Sequence, residues 1–213
     1  MKQERTVTNC LKKIFRLIIR FIPPIVRVPL TRLMLAGIYD KTRFSYKNNK
    51  NVFEIIYADN VWGSPESRSG GGSEIATTKT IRMILPKLWK KYKIKTFLDI
   101  PCGDYNWMQE VNKEDIIYIG GDIVQEIIAQ NKQKYAHGNI SFAVLDITSD
   151  VLPQVDMIFC KDCLQHLSYA NVRKALLNFQ KSKSRYLLTT TYPLTLRNWD
   201  ILDGDCRPLN LRK

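Results

Sequence analysis

The sequence predicts an α/β fold in which a parallel β-sheet is covered by helices on both faces. Two observations lead to this prediction. Apolar runs of strand length alternate with helical periodicity from residue 96 onward, which is the pattern of successive βα units. The strand candidates are also too apolar to leave one face in water, so both faces of the sheet must be buried.

Each element is placed from its own local pattern. Strands are expected at residues 96–99, 116–120, 140–145, 157–160 and 186–191. Helices are expected at residues 105–111, 124–135 and 169–181. A further helix is expected to begin at Glu74, with Ser73 as its cap and a kink at Pro86, and to end before the first strand.

Length and charge divide the chain into two parts. A chain of 213 residues is long enough for one α/β domain and a modest extension, but not for two full domains. The net charge is +13, and residues 1–50 hold 12 of the 33 Lys and Arg but 2 of the 20 Asp and Glu. We therefore predict a basic N-terminal extension, residues 1–50, and a nearly neutral domain, residues 51–213, which does not favour nucleic acid as a partner.

The extension contains a candidate amphipathic helix. Residues 11–38 are apolar, but Lys, Arg and Pro interrupt them too often for a membrane span or a signal peptide. Apolar side chains at helical spacing define one face of this segment: Ile14, Leu17, Ile18, Phe21 and Ile22. Two interpretations stay open, namely docking on an anionic membrane surface and packing against the domain or a dimer partner.

The five cysteines indicate free thiols. An odd number scattered over a chain of this size is not typical of a disulfide framework and favours a reducing, cytoplasmic setting. Cys160 and Cys163 form a C-x-x-C pair, but no second pair of ligands follows at zinc-binding spacing. We expect no metal site.

Acidic residues follow the first three predicted strands, and ligands of an open parallel sheet bind beyond the carboxyl ends of its strands. Asp99 and Gly103 lie in the first turn. Asp122, 23 residues beyond Asp99, suits the hydroxyls of a ribose, and Asp146 suits an adenine amino group. Each acid alone could instead cap a helix or a turn. The first turn has neither a G-x-G-x-x-G nor a P-loop pattern, which favours an uncharged nucleoside over a pyrophosphate.

The segment SPESRSGGGS, residues 64–73, is rich in turn-forming residues. By itself the pattern is typical of a flexible linker. The alternative is a cradle for an anion or a carboxylate at the start of a helix, where backbone N–H groups are free to donate.

These segments carry a family resemblance. FLDIPCGDYNWM resembles the first motif of class I S-adenosylmethionine-dependent methyltransferases, and GGDIV, VLDIT and DMIFCKDCLQHLS are similar to their later motifs, in the same order. The chain is also similar to a bacterial and viral subgroup associated with polysaccharide biosynthesis, through IYxxxxWGxxxSxSGxGS, DxPCGDxxWM and CxDxLxHL at residues 56–73, 99–108 and 160–167. The resemblance covers residues 52–211 and implies a Rossmann-like sheet with S-adenosylmethionine as cofactor.

The resemblance also implies which residues bind the cofactor. They lie at the strand ends and in the preceding loop: Trp62, Ser69, Gly70, Gly71, Asp99, Pro101, Cys102, Gly103, Asp122, Ile123, Asp146, Ile147 and Cys160. Under this resemblance the glycine-rich loop closes over the methionine end of the cofactor. Pro101 replaces a glycine of the common motif, as in the subgroup, and about 22 residues follow the last predicted strand, so the last strands of the family's sheet are expected to be lacking.

Methyl transfer to an alcohol requires a general base, because the sulfonium is already a strong electrophile. Asp162 and His166 are four residues apart after the fourth strand, which predicts that both face the cleft from one side of a helical turn. Either could be the base; His166 titrates near neutral pH, which favours His166 as the base and Asp162 as its orienting partner. No N/D-P-P-Y/F/W pattern follows this strand, so amines of DNA bases are not expected acceptors.

The function implied is O-methylation of a sugar hydroxyl in a surface polysaccharide or its precursor. We expect a glycan or small-molecule acceptor and a cytoplasmic enzyme, peripheral at the inner face of the membrane through residues 11–38, with glycosyltransferases as partners. Two alternatives stay open. One is methylation of RNA or of a small metabolite, and the other is a truncated, non-catalytic protein that binds the cofactor and acts as a scaffold.

Overall fold

A five-stranded parallel sheet organises residues 48–213, the part of the chain that the computed structural model describes. The strands are β1 (Thr96–Asp99), β2 (Ile117–Asp122), β3 (Ile140–Val144), β4 (Met157–Cys160) and β5 (Tyr186–Thr189). Their order in the sheet is β3-β2-β1-β4-β5, and every neighbouring pair is parallel. The predicted fold class is confirmed, and the strand order reverses between β1 and β4.

Within residues 48–213, four α-helices accompany the sheet: α1 (Asn49–Ala58), α2 (Lys79–Tyr92), α3 (Gln125–Tyr135) and α4 (Tyr169–Lys181). Asn48 caps α1, since its side chain accepts a hydrogen bond from the Asn51 backbone N–H at 2.9 Å. Ser168 caps α4 in the same way through Asn171 N–H. Helix α2 carries two lysines in its last turn, where the negative end of the helix dipole favours them.

Alternating side chains along the strands build one core on each face of the sheet. The face covered by α2 and α3 contains large aromatic and apolar side chains: Leu85, Trp89, Phe97, Tyr118, Ile128, Phe142 and Phe159. The face covered by α4 contains smaller ones: Leu98, Ile158, Cys160, Val172, Ala175 and Phe179. Burying each large apolar side chain contributes about 1.5–3 kcal/mol, so the two cores hold the strand ends in place.

The helix predicted at residues 105–111 is wrong, because this segment forms a 3₁₀ turn at Met108–Glu110. Tyr105 has a left-handed backbone with a φ of 58°, which no α-helix admits. The Asn106 side chain donates to Glu66 Oε1 at 2.7 Å and to the Ser73 carbonyl at 3.0 Å. These side-chain contacts compete with helical hydrogen bonding and tie the segment to the preceding loop.

Helix α2 begins five residues later than predicted, at Lys79 rather than Glu74. The Glu74 carboxylate instead accepts a hydrogen bond from Ser64 Oγ at 2.8 Å, within the preceding loop. Ser73 belongs to a short 3₁₀ turn, Gly71–Ser73, and makes no helix cap. The loop therefore extends to Thr78, and Pro86 lies inside the helix.

The predicted amphipathic helix in residues 11–38 lies outside the described residues. Within residues 48–213, none of the helices combines the length and apolar character needed to cross a bilayer. Helix α1 begins at Asn49 and so crosses the boundary predicted between residues 50 and 51.

Candidate functional site

A cavity of about 280 Å³ opens at the carboxyl ends of β1, β2, β3 and β4. It lies where the strand order reverses, which is the position at which open α/β sheets bind ligands. Its walls include both predicted catalytic residues and all the predicted cofactor residues except Cys160. The strand-end residues named from the sequence are thus brought together around one cavity.

Cys160 belongs to the core beneath the cavity. Its side chain is fully buried on the α4 face of the sheet, in register with Thr189 of β5. The residues that follow it, Lys161, Asp162 and Cys163, form the cavity wall instead. Strand alternation explains this placement, because Cys160 shares the face of Ile158.

Asp122 is fixed by backbone amides at the end of β2. Its Oδ2 accepts a hydrogen bond from Gly103 N–H at 3.1 Å, and its Oδ1 accepts one from Val124 N–H at 2.9 Å. Burial raises the pKa of Asp122 to about 6, although these amides oppose the shift by stabilising the carboxylate. Gly103 has a φ of 56°, and a side chain there would meet Ser69. The chain path therefore sets the direction of the carboxylate.

Asp99 lines the cavity at the end of β1, next to the strand that carries Asp122. It is 2% exposed, and its Oδ2 accepts a hydrogen bond from the Tyr118 hydroxyl at 2.7 Å. Burial raises the pKa of Asp99 to about 7, and the bond from Tyr118 opposes the shift. Two buried carboxyl groups, those of Asp99 and Asp122, thus face one small cavity, whose walls also include Pro101 and Cys102.

Asp146 lies in a tight turn after β3. Its Oδ1 accepts hydrogen bonds from Thr148 N–H and Thr148 Oγ1, both at 2.7 Å. Ile123 belongs to the small apolar cluster around Val124, and Ile147 belongs to the core beneath α4. This end of the cavity therefore combines apolar walls with a carboxylate at the edge.

Asp104 fastens the glycine-rich loop to the turn after β1. Its carboxylate accepts hydrogen bonds from Ser67 Oγ at 2.9 Å, from Arg68 N–H at 2.9 Å and from Ser69 Oγ at 3.2 Å. In return, Asp104 N–H donates to Ser69 Oγ at 3.0 Å. The loop is therefore a wall of the cavity, which brings Ser69, Gly70 and Gly71 beside the β1 turn, and not a free linker.

Sequence reasoning placed Asp104 at the end of the predicted cofactor segment, but it did not identify the contacts of Asp104 with the glycine-rich loop or the wall that α1 forms. Four residues of α1 line the cavity: Asn49, Phe53, Ile56 and Tyr57. A signal for α1 does exist, since Asn48 is a preferred N-cap residue and apolar residues recur at three- and four-residue spacing after it. The contacts of Asp104 join residues 35–37 positions apart and have no local signature.

His166 occupies the opposite half of the cavity, beside Trp62. The two ring centroids are 5.1 Å apart. His166 Nδ1 lies 2.8 Å from the Asp205 carbonyl oxygen, and because a carbonyl can only accept, Nδ1 carries the proton. Burial lowers the pKa of His166, which keeps the ring neutral and leaves a lone pair on Nε2.

The side chain of Asp162 forms a hydrogen bond and an ion pair with neighbouring residues. Its backbone is left-handed, with a φ of 51°, and it precedes a 3₁₀ turn at Leu164–His166, so the predicted single helical turn holding both residues is wrong. Thr190 Oγ1 donates to Asp162 Oδ1 at 3.1 Å, and Lys161 Nζ forms an ion pair with Asp162 Oδ2. Asp162 and His166 still both line the cavity, but the charge of Asp162 is compensated.

No protein-family model matches the chain, and no curated protein matches its sequence. Solved structures do match its fold. The magnesium protoporphyrin IX methyltransferase of Synechocystis PCC 6803 with bound SAM is 13% identical, with a TM-score of 0.53 over 73% of this chain and 82% of that chain. The same enzyme with bound SAH gives 16% identity and a TM-score of 0.52, over 70% and 74% of the two chains. Together with the strand order, this likeness assigns the Rossmann-like fold of class I methyltransferases.

Proposed function

We propose that the chain transfers a methyl group from S-adenosylmethionine to a sugar hydroxyl of a surface polysaccharide or its precursor. The observation that carries the proposal is the pairing of two different halves in one cavity. One half presents the oriented Asp122 carboxylate at the end of β2, and the other presents the unprotonated Nε2 of His166. A nucleoside needs the first, and an alcohol acceptor needs the second.

The first half fits an adenosine-containing cofactor. Asp122 offers carboxylate oxygens to ribose hydroxyls, and Ile123 and Ile147 offer apolar walls to an adenine ring beside Asp146. Asp99 offers negative charge to the amino group of the methionine moiety, beside the backbone of Ser69 to Gly71. The volume of about 280 Å³ is close to the lower end of ligand sites, about 300 Å³.

The second half supplies the base. S-adenosylmethionine brings an activated methyl group, so the protein must orient the hydroxyl and remove its proton. His166 accepts that proton at Nε2, while Asp162, which is paired with Lys161 and Thr190, provides a fixed negative charge nearby. The Trp62 ring beside His166 offers a flat apolar surface of the kind that suits the C–H face of a sugar.

The charge distribution supports an uncharged acceptor over RNA. Most of the excess positive charge lies in residues 1–50, so the domain that contains the cavity has little net positive charge with which to attract a phosphate backbone. The resemblance to the polysaccharide-associated subgroup supports a glycan in particular. Under the same proposal, residues 11–38 hold the enzyme at the inner face of the membrane, near the glycosyltransferases that build the acceptor.

The first test is calorimetric titration of the full chain with S-adenosylhomocysteine. We expect micromolar binding by the wild type and a loss of about 100-fold in Asp122→Ala, which corresponds to about 2.7 kcal/mol. Asp115→Ala is the matched control, since Asp115 is an exposed carboxylate outside the cavity wall. A folded wild type that does not bind S-adenosylhomocysteine contradicts the proposal.

The second test identifies the acceptor by following labelled methyl transfer to a panel of glycans, RNA and small metabolites. His166→Asn is expected to retain S-adenosylhomocysteine binding and to lose about 10²–10⁴-fold in kcat, the usual contribution of a general base. Asp162→Asn should lose less, because its charge is already compensated. Transfer to RNA alone contradicts the sugar assignment, and binding without transfer to any acceptor indicates the non-catalytic alternative.

A further inference from the structure

Both ring nitrogens of His166 are contacted by the protein. Nδ1 lies 2.8 Å from the Asp205 carbonyl oxygen, and Nε2 lies 3.3 Å from the side-chain nitrogen of Gln165. The amide oxygen of Gln165 accepts a hydrogen bond from the Tyr192 hydroxyl at 2.5 Å. Tyr192, Gln165, His166 and Asp205 therefore form one continuous hydrogen-bonded chain.

The direction of every bond in this chain follows from its two ends. The Asp205 carbonyl must accept, so Nδ1 of the neutral ring donates and Nε2 accepts. Gln165 must then turn its NH₂ group towards Nε2 and its oxygen towards Tyr192. Burial raises the pKa of Tyr192 to about 12, so its hydroxyl keeps the proton that it donates to Gln165.

The segment 204–207 holds the turn that carries His166. Gly204 N–H donates to the His166 carbonyl at 2.8 Å, and Arg207 N–H donates to the Gln165 carbonyl at 3.1 Å. The Arg207 guanidinium also donates to the Leu167 carbonyl at 2.5 Å. The backbone of the turn is thus fixed independently of the Gln165 side chain, so changing that side chain leaves the position of His166 in place.

We propose that Gln165 is a positioning residue, which Tyr192 orients so that His166 stays in the tautomer presenting an unprotonated Nε2 to the cavity. This inference rests on the proposed function for its catalytic meaning, but not for its geometry. A donor directed at Nε2 opposes protonation of that atom. A contact of 3.3 Å is at the long end of hydrogen-bond distances, so an acceptor hydroxyl can displace it at little cost.

Some of the other charged groups near the ring raise the pKa of His166, and others lower it. Asp162 favours the protonated ring and Arg207 disfavours it. The charge of Asp162 is reduced by Lys161, and the carboxylate of Asp203 is occupied by Ser168 N–H and Asn171. Further titratable groups on the same side are Cys163 on the cavity wall and Cys206 next to Asp205. Among these neighbours, Gln165 is the group in hydrogen-bond contact with Nε2.

The test is a pH titration of the histidine side chains by nitrogen and proton NMR, which reports both the tautomer and the titration midpoint. The chain has two histidines, and His137→Gln assigns their signals. We expect His166 in the wild type to carry its proton on Nδ1. In Gln165→Glu, a carboxylate accepts from a protonated Nε2, so the midpoint of His166 should rise by at least about one pH unit, a tenfold change.

Two variants separate the hydrogen bond from the added charge. Gln165→Leu removes the donor without adding charge, and Tyr192→Phe leaves the amide free to rotate. Both should raise the midpoint in the same direction by a smaller amount, while the His137 signal stays unchanged. If methyl transfer is measurable, the pH at half-maximal kcat should rise in parallel with the midpoint in each variant.

The outcomes separate this inference from the proposed function. An unchanged His166 midpoint and tautomer in folded Gln165→Leu overturns the positioning role, whether or not the protein binds S-adenosylhomocysteine. A raised midpoint in Gln165→Leu together with no S-adenosylhomocysteine binding by the wild type supports the positioning role and overturns the proposed function. Circular dichroism of each variant confirms that the compared proteins are folded.

Discussion

The two halves of the cavity are built in different ways. In the β1–β3 half, which comprises the strand ends of β1, β2 and β3 and the loop 67–71, backbone N–H groups hold both oxygens of the Asp122 carboxylate, and Arg68 N–H joins two serine hydroxyls in holding Asp104. In the β4–β5 half, which comprises residues 161–166, 190–192 and 204–207, Thr190 holds Asp162 and Tyr192 holds Gln165 through their side chains, and the Asp205 carbonyl is the backbone group that contacts the His166 ring.

This difference has a functional consequence. Contacts from backbone groups depend on the path of the chain, so they persist whenever the fold is formed. Contacts between side chains can be changed one residue at a time without rebuilding the backbone. Under the proposed function, the β1–β3 half holds the cofactor and the β4–β5 half holds the acceptor.

Gly103→Ala tests the rigidity of the β1–β3 half and should have the largest effect. A Cβ at Gly103 would overlap Ser69 Oγ and lie 2.9 Å from Ser69 Cβ, and the φ of 56° is itself unfavourable for alanine. We expect a loss of about 3 kcal/mol in the free energy of unfolding and of at least about 100-fold in S-adenosylhomocysteine affinity. Chemical denaturation and calorimetry measure the two effects.

Gly138→Ala is the matched control for this prediction. Gly138 has a φ of 53°, and a Cβ at this position would meet no other atom within 4 Å. Only the backbone cost of about 1–2 kcal/mol should remain, with unchanged affinity for S-adenosylhomocysteine. Equal losses of stability in the two variants would show that the loop is free to move away from Gly103, and would break the contrast between the halves.

The same contrast explains how much the sequence could predict. The β1–β3 half was largely predictable, because an apolar run followed by Asp99 or Asp122 is a local signal of a strand end. The β4–β5 half was predictable only as far as Asp162 and His166. The contact between Gln165 and Tyr192 joins residues 27 positions apart, and nothing in either local pattern indicates it.

Asp104→Asn tests the attachment of the glycine-rich loop. The substitution keeps the size of the side chain but removes the charge that strengthens the bonds from Ser67, Arg68 N–H and Ser69. We expect about a tenfold loss of S-adenosylhomocysteine affinity and a loss of about 1–2 kcal/mol in the free energy of unfolding. Asp115→Asn is the control, and an unchanged affinity in Asp104→Asn would mean that the loop does not contribute to the cofactor site.

Asp99→Asn tests the electrostatics of the β1–β3 half. Because burial raises the pKa of Asp99 from 3.8 to about 7, the folded state binds more protons than the unfolded state between these values. The free energy of unfolding should therefore fall as the pH rises through this interval, by up to about 1.4 kcal/mol per pH unit for this group. Asp99→Asn should make the slope less negative by up to that amount, as measured by urea denaturation from pH 4.5 to 6.5. A slope identical to that of the wild type would show that Asp99 does not titrate abnormally.

A pair of Thr→Val substitutions compares the two halves directly, with the smallest expected effects. Thr190 Oγ1 donates to Asp162 in the β4–β5 half, and Thr148 Oγ1 donates to Asp146 in the β1–β3 half. Each substitution keeps the shape of the side chain and removes one bond to a carboxylate, worth about 1 kcal/mol or several-fold in a binding or rate constant. Thr190→Val also removes the bond that Thr190 Oγ1 accepts from Asp162 N–H at 3.0 Å. Thr148→Val should weaken S-adenosylhomocysteine binding and leave the KM for the acceptor unchanged, whereas Thr190→Val should do the reverse. If both variants weaken the same ligand, the cavity works as a single site, and the division into a cofactor half and an acceptor half is wrong.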